Sequence, residues 1–396
     1  MADTSQLLNS AQAAHREGQF DQAESLYKKV LEQNPNDPDA LHFLGLLYFQ
    51  RDQRADGIAW VRRSLEQFPD NPHAWNNLAN MLVAADAEDE AIKAYVRATE
   101  IEPELVTAWY NLGICYRRTK QIEKSVEAFC KAVELQPADT IVYERFGMLL
   151  YGLGRFKQAA DVYRQWLKID AGNPVPRHML AAMTGEDVPA RADDAYLKQL
   201  FDRFSNSFDE QLSALGYRAP ELLASALTGQ LPAQSNAVIL DAGCGTGLCG
   251  PLLRSVARKL IGVDLSEGMV SKARERQVYD ELVVAELVAF MQSRPAEFNA
   301  VISADTLVYF GALEQMCAAA HACLLPGGLL AFTLERREEG DEPYRIEPHG
   351  RYSHRQDYAE RVLSDAGFEL LESTHTVLRK ERGNDVAGLL LLVRRP

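Results

Sequence analysis

Two hydrophobic rhythms divide the chain. Up to about residue 173 the apolar positions recur at helical spacing, and the pattern returns every thirty-four residues, with Pro35, Pro69, Pro103 and Pro137 marking the interval. On that period Leu41, Trp75, Trp109 and Tyr143 share one column, and Leu44, Leu78, Leu112 and Phe146 a second. Gly45, Ala79, Gly113 and Gly147 form a third, followed by Tyr48, Leu82, Tyr116 and Leu150. Later in each unit a small residue (Ala23, Gly57, Ala91, Ser125, Ala159) precedes a larger one four positions on (Tyr27, Val61, Tyr95, Phe129, Tyr163). Small residues where two helices must approach, with large ones filling the gap, predict a helix-turn-helix unit. Five such units fit between residues 4 and 173, the outermost being the most degenerate, as the ends of an apolar stack must be. Residues 174–195 break the period with Pro174, Pro176 and Pro189 and predict a linker that holds one short helix.

From residue 196 to 396 the rhythm changes. A helical stretch from Tyr196 to Leu227 precedes short apolar runs separated by helical segments. Val238–Leu240, Leu260–Val263, Leu282–Ala285, Ala300–Ala304, Leu329–Leu334, Phe368–Ser373 and Leu389–Val393 predict strands, the last two as a hairpin. This is the order of an α/β domain with a mostly parallel sheet of seven strands.

The first of these runs ends in Asp241 and opens into Gly243, Gly245 and Gly247. Glycines here allow a sharp strand-to-helix turn and a close approach of backbone to ligand. Gly245, Gly247 and Gly250 also satisfy the dinucleotide spacing G-x-G-x-x-G. In a dinucleotide fold, however, the glycines abut the strand and a helix N-terminus receives a pyrophosphate. A carboxylate aimed into the loop repels a pyrophosphate and attracts an ammonium or a ribose hydroxyl, which favours a nucleoside carrying positive charge, such as S-adenosylmethionine. The second run ends at Asp264, nineteen residues beyond Gly245, and the third at Glu286, twenty-two further on. Acids at three strand ends on one sheet edge suit ribose hydroxyls and an adenine amino group; the alternative is three solvated acids.

Residues from about 195 onward resemble a class I S-adenosylmethionine-dependent methyltransferase, through DAGCGTG, GVDLSEGMV, VVAEL, FNAVISADTLVYF and LLPGGLLAFTLE in the family's order. The resemblance implies a Rossmann-like fold and a cofactor site. Asp241, Gly243, Gly245 and Gly247 would hold the methionine moiety, Asp264 with Leu265 the ribose, and Glu286 with Leu287 the adenine edge. FDRFSNSFD is similar to aromatic-Asp lids of methyltransferase-like proteins, which brings Phe208 and Tyr217 nearest the ligand. Asp305 and Tyr309 fall on the loop where substrate meets cofactor, Asp305 reading either as an acid of the substrate site or as a helix cap. His349 and His354, in Pro348-His349-Gly350-Arg351-Tyr352-Ser353-His354, read either as proton acceptors or as loop residues ahead of the helix at 355–366. The loop after the fourth strand lacks the prolines common in enzymes that methylate planar amino nitrogens, which disfavours nucleobase chemistry. Methyl transfer of this kind is a direct displacement and needs no metal.

The N-terminal part resembles the tetratricopeptide repeat, whose core spacing returns in WYNLGICY, a binding solenoid with a concave groove. Two residues after the Trp column stand Asn9, Phe43, Asn77, Asn111 and Arg145. A carboxamide both donates and accepts, so Asn9, Asn77 and Asn111 suit an extended peptide backbone. This resembles the asparagine ladder of the repeats in O-linked N-acetylglucosamine transferase; the alternative is polar residues at solvated positions. Arg117 and Arg118 add positive charge for an acidic partner.

Composition narrows the remaining classes. The net charge is −14, with 19 basic and 25 acidic residues up to residue 173 and 23 and 31 after it, so a nucleic acid is disfavoured as partner. Arg336-Arg337 and Arg379-Lys380-Glu381-Arg382 read as solvated faces. Six cysteines without a C-x-x-C pair disfavour zinc and a disulfide framework. The start lacks a signal-peptide pattern and no apolar run is long enough for a membrane span, so the expected compartment is the cytoplasm. The whole resembles bacterial fusions of the two modules: a methyltransferase whose repeats recruit a protein or peptide. The alternatives are a small-molecule methyltransferase that uses its repeats to form a homodimer, and a cofactor-binding scaffold without turnover.

Overall fold

The structure, a computed structural model, describes residues 3–231, 236–381 and 383–396. It divides into two compact units, one ending at Gly154 and the other beginning at Arg155.

The first unit is a series of antiparallel helix pairs. They are α1 (Thr4–Arg16) with α2 (Phe20–Gln33), α3 (Pro38–Gln50) with α4 (Arg54–Gln67), α5 (Pro72–Ala84) with α6 (Glu88–Ile101) and α7 (Val106–Arg118) with α8 (Ile122–Leu135), followed by α9 (Thr140–Gly152). The thirty-four-residue period has a structural counterpart at each step. Asp37 and Asn71 cap α3 and α5 by accepting from Ala40 N and Ala74 N at 2.9 and 3.0 Å, each with proline in the first helical position. Trp75 and Trp109 donate their indole N–H to Pro69 O and Pro103 O at 2.7 and 2.8 Å, which ties the Trp column to the Pro column. Gly18, Asp52, Asp86, Lys120 and Gly154, thirty-four residues apart, all take a left-handed conformation with φ between 57° and 74°. At the first four of these turns the next residue closes a bond of 2.8 to 2.9 Å to a carbonyl near the end of the preceding helix, such as Gln121 N to Tyr116 O. The small column works by contact: a Cβ on Gly45 would sit 2.7 Å from Val61 Cγ2, and one on Gly113 3.0 Å from the Phe129 ring.

The second unit opens with α10 (Phe156–Ile169), α11 (Pro174–Thr184), α12 (Asp194–Phe204), α13 (Phe208–Ala214) and α14 (Ala219–Gln230). Then β1 (Ala237–Ala242), α15 (Gly250–Leu253), β2 (Ala257–Asp264), α16 (Glu267–Glu275), β3 (Glu281–Val284), α17 (Leu287–Gln292), β4 (Phe298–Ser303), α18 (Glu314–Cys323) and β5 (Leu324–Arg336) alternate. The chain ends with β6 (Tyr344–Ile346), β7 (Tyr352–His354), α19 (Gln356–Asp365), β8 (Glu369–Glu381) and β9 (Asn384–Arg394). The strand order is β3-β2-β1-β4-β5-β7-β6, with β9 antiparallel to β5 and β8 beyond it. Among the described residues the sheet therefore has nine strands, not seven, because residues 344–354, expected as a polar loop, form the extra pair β6 and β7. Along β1, Val238 and Leu240 face a core shared with α17, α18 and α19, while Ile239 faces one shared with α14 and α15. The expected helix after the glycine turn is reduced to the single turn of α15.

The division at residue 154 differs from the expected boundary at 173, and residues 174–195 are not a free linker. His178 is buried, stacks on Tyr196 with 4.1 Å between ring centroids and bonds through Nε2 to Gly350 O at 2.7 Å. Pro189 O accepts from the Tyr352 hydroxyl at 2.8 Å, and Ala190 O accepts from Gly311 N and Ala312 N. These bonds stitch the segment to the edge of the sheet that β6 and β7 extend. No helix among the described residues is long and apolar enough to cross a membrane.

Candidate functional site

The C-terminal ends of β1 and β2 position the glycine loop. Gly243 N and Cys244 N both donate to Val263 O, at 2.8 and 2.9 Å, so the loop folds back over the end of β2. Asp264, the last residue of β2, accepts from Gly245 N and Ser266 N, each at 2.9 Å, and thereby fixes the loop and the entry into α16. Two glycines have different reasons to be glycine. At Gly243, φ is 77° and a Cβ would lie 2.2 Å from Thr306 Oγ1. At Gly245, φ is 53° and a Cβ would meet only the Phe208 ring, at 3.9 Å. The space above Gly245 is thus open, and it belongs to a cavity of about 240 Å³.

One wall of that cavity is the loop from Gly243 to Thr246 with Asp264 and Leu265; Glu286 and Leu287 continue it along the sheet edge. The opposite wall is apolar and comes from α12 and α13, with Leu197, Phe201, Phe208 and Leu212. Both aspartates of FDRFSNSFD latch these helices down. Asp202 accepts from Ser266 Oγ at 2.5 Å and Gly268 N at 3.2 Å. Asp209 accepts from Thr246 Oγ1 at 2.5 Å and pairs with Arg276.

The far end is ionic. Arg379, on β8, pairs through its three nitrogens with Asp305, Glu335 and Glu381. Arg351 pairs with Glu335 and Glu381, each at 2.6 Å. Asp305, Arg351, Arg379 and Glu381 line the cavity there, beside Tyr217 and Tyr309. Burial lifts the Asp305 carboxyl above its ordinary range, against the pull of Arg379. Glu381 also loses solvent, but Arg351 and Arg379 hold it down at about 2.

The residues expected from the sequence separate into three groups. Gly243, Gly245, Asp264, Leu265, Glu286, Leu287, Phe208, Asp305 and Tyr309 all line the cavity. Asp305 is not a helix cap: its backbone is left-handed, with φ 55°, its N–H donates to Thr333 Oγ1, and its side chain pairs with Arg379. Glu286 does cap a helix, accepting from Val288 N and Ala289 N at 3.1 and 2.7 Å while lining the cavity. Asp241 and Gly247 lie behind the loop. Asp241 is 1% exposed and accepts from the Tyr279 hydroxyl at 2.6 Å, while its Oδ1 has no hydrogen-bond partner among the described residues. Burial raises its carboxyl to about 7. A Cβ on Gly247 would lie 2.9 Å from that same tyrosine ring.

The histidines form the third group, and neither lines the cavity. His354 is fully buried, bonds through Nε2 to Gly311 O at 3.0 Å and stacks over Tyr358, with burial lowering its imidazole to about 4. His349 accepts from Arg351 N through Nδ1 and has Nε2 3.4 Å from Glu335, so it supports the ionic end from behind. Sequence reasoning missed Arg351, Arg379 and Glu381. The basic run at 379–382 was expected to be a solvated face, yet Arg379 is 3% exposed and Glu381 half-buried, while Arg382 lies outside the described residues. A bulge between Val377 and Arg379 breaks the alternation of β8, so Leu378 and Arg379 are both buried while Lys380 is exposed, and no regular period marked Arg379 as inward.

In the first unit, Asn77 contacts His42 Nε2 through its amide nitrogen at 3.0 Å, and Asn111 donates to Asn80 Oδ1 at 3.1 Å. Asn9 is exposed on α1, and Phe43, in the same column, stacks with Tyr27 and His42.

Residues 239–328 match the family model described as a methyltransferase domain, and residues 14–81, 72–105 and 106–139 match models of the tetratricopeptide repeat. The chain carries tetratricopeptide repeats and, after them, a methyltransferase domain. The chain is similar to methyltransferase-like protein 27 of Homo sapiens, 31% identical over 171 residues, which are 41% of this chain and 66% of that protein. It is also similar to the malonyl-[acyl-carrier protein] O-methyltransferase of Enterobacter lignolyticus (strain SCF1), 36% identical over 110 residues, 28% of this chain and 43% of that protein. The chain thus spans less than two thirds of these relatives. Among solved structures, the crystal structure of MamA protein aligns with 42% of this chain and 92% of its own, at 25% identity and a TM-score of 0.39.

Proposed function

We propose that the second unit binds S-adenosylmethionine in the cavity and transfers its methyl group, and that the repeats hold the protein or peptide that is modified or accompanies the reaction. The observation that carries the cofactor reading is the open space over Gly245, beside a half-buried carboxylate, Asp264, and beneath an aromatic lid residue, Phe208. A dinucleotide is disfavoured by the same surface. The helix after the loop is a single turn, too short to supply the N-terminal field a pyrophosphate uses.

When bound, S-adenosylmethionine supplies a methyl group already activated on a sulfonium. The chain's own tasks are then to bind, orient and exclude water. Asp264 has lone pairs to spare for ribose hydroxyls after its two backbone bonds. Glu286 and Leu287 offer an edge and a face for adenine. Asp241 supports the loop from behind, through its bond from Tyr279. Leu197, Phe201, Phe208 and Leu212 dry the cavity, and the two aspartate latches hold them in place.

The Asn77 and Asn111 contacts support the recruitment reading, because each engages its amide nitrogen within the unit and keeps a carbonyl oxygen to accept from a peptide N–H. One relative's name points to an acyl-carrier-protein acceptor and the other names none, so the acceptor is tested directly. The full-length chain is incubated with S-adenosylmethionine carrying a tritiated methyl and an immobilised peptide library. Label should appear in a subset of peptides and fall at least fivefold when Asn77→Ala and Asn111→Ala are combined. Labelling that ignores the double substitution would remove recruitment and favour a small-molecule enzyme with self-associating repeats.

A further inference from the structure

The ionic end of the cavity defines what the acceptor must be. Two arginines at a cavity wall are, at first sight, a fork for an incoming carboxylate. Here Arg379 is fully used and Arg351 in part. Arg379 gives Nε to Glu381, one terminal nitrogen to Asp305 and the other to Glu335. Arg351 gives Nε to Glu335 and a terminal nitrogen to Glu381. Two guanidinium charges against three carboxylates leave one negative charge in the cluster. His349 does not cancel it, because burial and Arg351 lower its basicity, and its Nδ1 accepts the Arg351 N–H. An anionic acceptor would add to that charge, in a site where low dielectric magnifies the repulsion.

What the cluster lacks is a donor. Asp305 Oδ2 is taken by Arg379, and its Oδ1 is buried with no hydrogen-bond partner among the described residues, on a residue that lines the cavity together with Thr306 and Tyr309. A buried carboxylate oxygen left unpaired costs free energy that a bound N–H or O–H recovers. The left-handed backbone at Asp305 is held by the Thr333 hydroxyl, so the carboxylate is fixed from below and from the side.

We propose that the methyl acceptor is a protic nucleophile, an amine or hydroxyl that brings its hydrogen to Asp305 Oδ1, and that the arginine-carboxylate cluster excludes carboxylate acceptors. The inference rests on the cavity being the S-adenosylmethionine site. In the transfer, the acceptor's lone pair forms the bond to the methyl carbon as the methyl–sulfur bond breaks and leaves its electron pair on sulfur. The acceptor's proton passes to Asp305. Burial, which raises the Asp305 carboxyl, makes it a better proton acceptor than an exposed aspartate. Arg351, Arg379 and Glu335 do not touch the reacting atoms; they position Asp305.

The test uses the full-length protein saturated with S-adenosylhomocysteine, whose binding is first measured by calorimetry. Butylamine, butanol and butyrate are then compared by saturation-transfer NMR. Butylamine and butanol should bind at least tenfold more tightly than butyrate, and Asp305→Asn should erase that preference. Butyrate binding as well as butylamine, a preference that survives Asp305→Asn, or no binding by any of the three overturns the proposal. The comparison in the unsubstituted protein decides by itself if Asp305→Asn does not fold. A protein that takes no S-adenosylhomocysteine is recognised in the first titration; it removes the cofactor reading and this inference with it.

Discussion

At Asp241 burial and hydrogen bonding act against each other. The carboxyl is shut away from water, its Oδ2 accepts from Tyr279 and its Oδ1 from no donor among the described residues, and burial prevails, lifting it from 3.8 to about 7. A carboxyl raised on folding contributes stability that is fully present below its unfolded value and is lost as pH rises through the folded one. The window is therefore about pH 4 to 7, and the total is on the order of 4 kcal/mol by 1.36 kcal/mol for each factor of ten. Asp241→Asn keeps an acceptor for Tyr279 and removes the charge. Urea unfolding of wild type and variant from pH 5 to 8 should show the wild type losing ground as pH rises, with Asp241→Asn the more stable at pH 8. Parallel curves would show that the carboxyl is not held up by burial. Asp241 itself was legible in the sequence; its position behind the loop was not, because that depends on Tyr279, thirty-eight residues away. The same limit hid Arg379, whose three partners lie 2, 44 and 74 residues distant.

At the scale of elements the two halves differ in how much local sequence decides. The repeat turn is local: each returns after thirty-four residues to a left-handed residue, and the chain uses Gly18 and Gly154 at the ends but Asp52, Asp86 and Lys120 between. A β-branch-free but bulky lysine at φ 60° strains where glycine does not. Lys120→Gly should stabilise the first unit by about 0.5 to 1 kcal/mol, read as a higher denaturant midpoint with an unchanged slope. A lower midpoint would mean that Lys120 has a compensating contact. The lid is the opposite case. Asp202 and Asp209 were visible as part of an aromatic-Asp segment, but their partners, Ser266, Thr246 and Arg276, come from the glycine loop and α16. Short apolar runs and glycine turns announced β1 through β5, whereas β6 and β7, three residues each, bury too little to leave a pattern.

For the whole molecule, the order of repeats and then a strand-helix alternation was readable because both patterns are periodic. The division at Gly154 was not, since the fifth unit keeps the repeat's columns while α10 counts with the second compact unit. We propose that the cavity over Gly245 receives S-adenosylmethionine. Calorimetric titration of the full-length chain with S-adenosylhomocysteine and, separately, with NADH tests it most directly, with Gly245→Ala as the decisive variant. A methyl at Gly245 meets no protein atom closer than 3.9 Å but enters the cavity at φ 53°. It should cost about 1 kcal/mol of stability, a shift of a few degrees in Tm. The account predicts one site for S-adenosylhomocysteine, no heat with NADH, and at least a tenfold loss of affinity in the variant. Binding of NADH with S-adenosylhomocysteine ignored, or full affinity in Gly245→Ala, would contradict it.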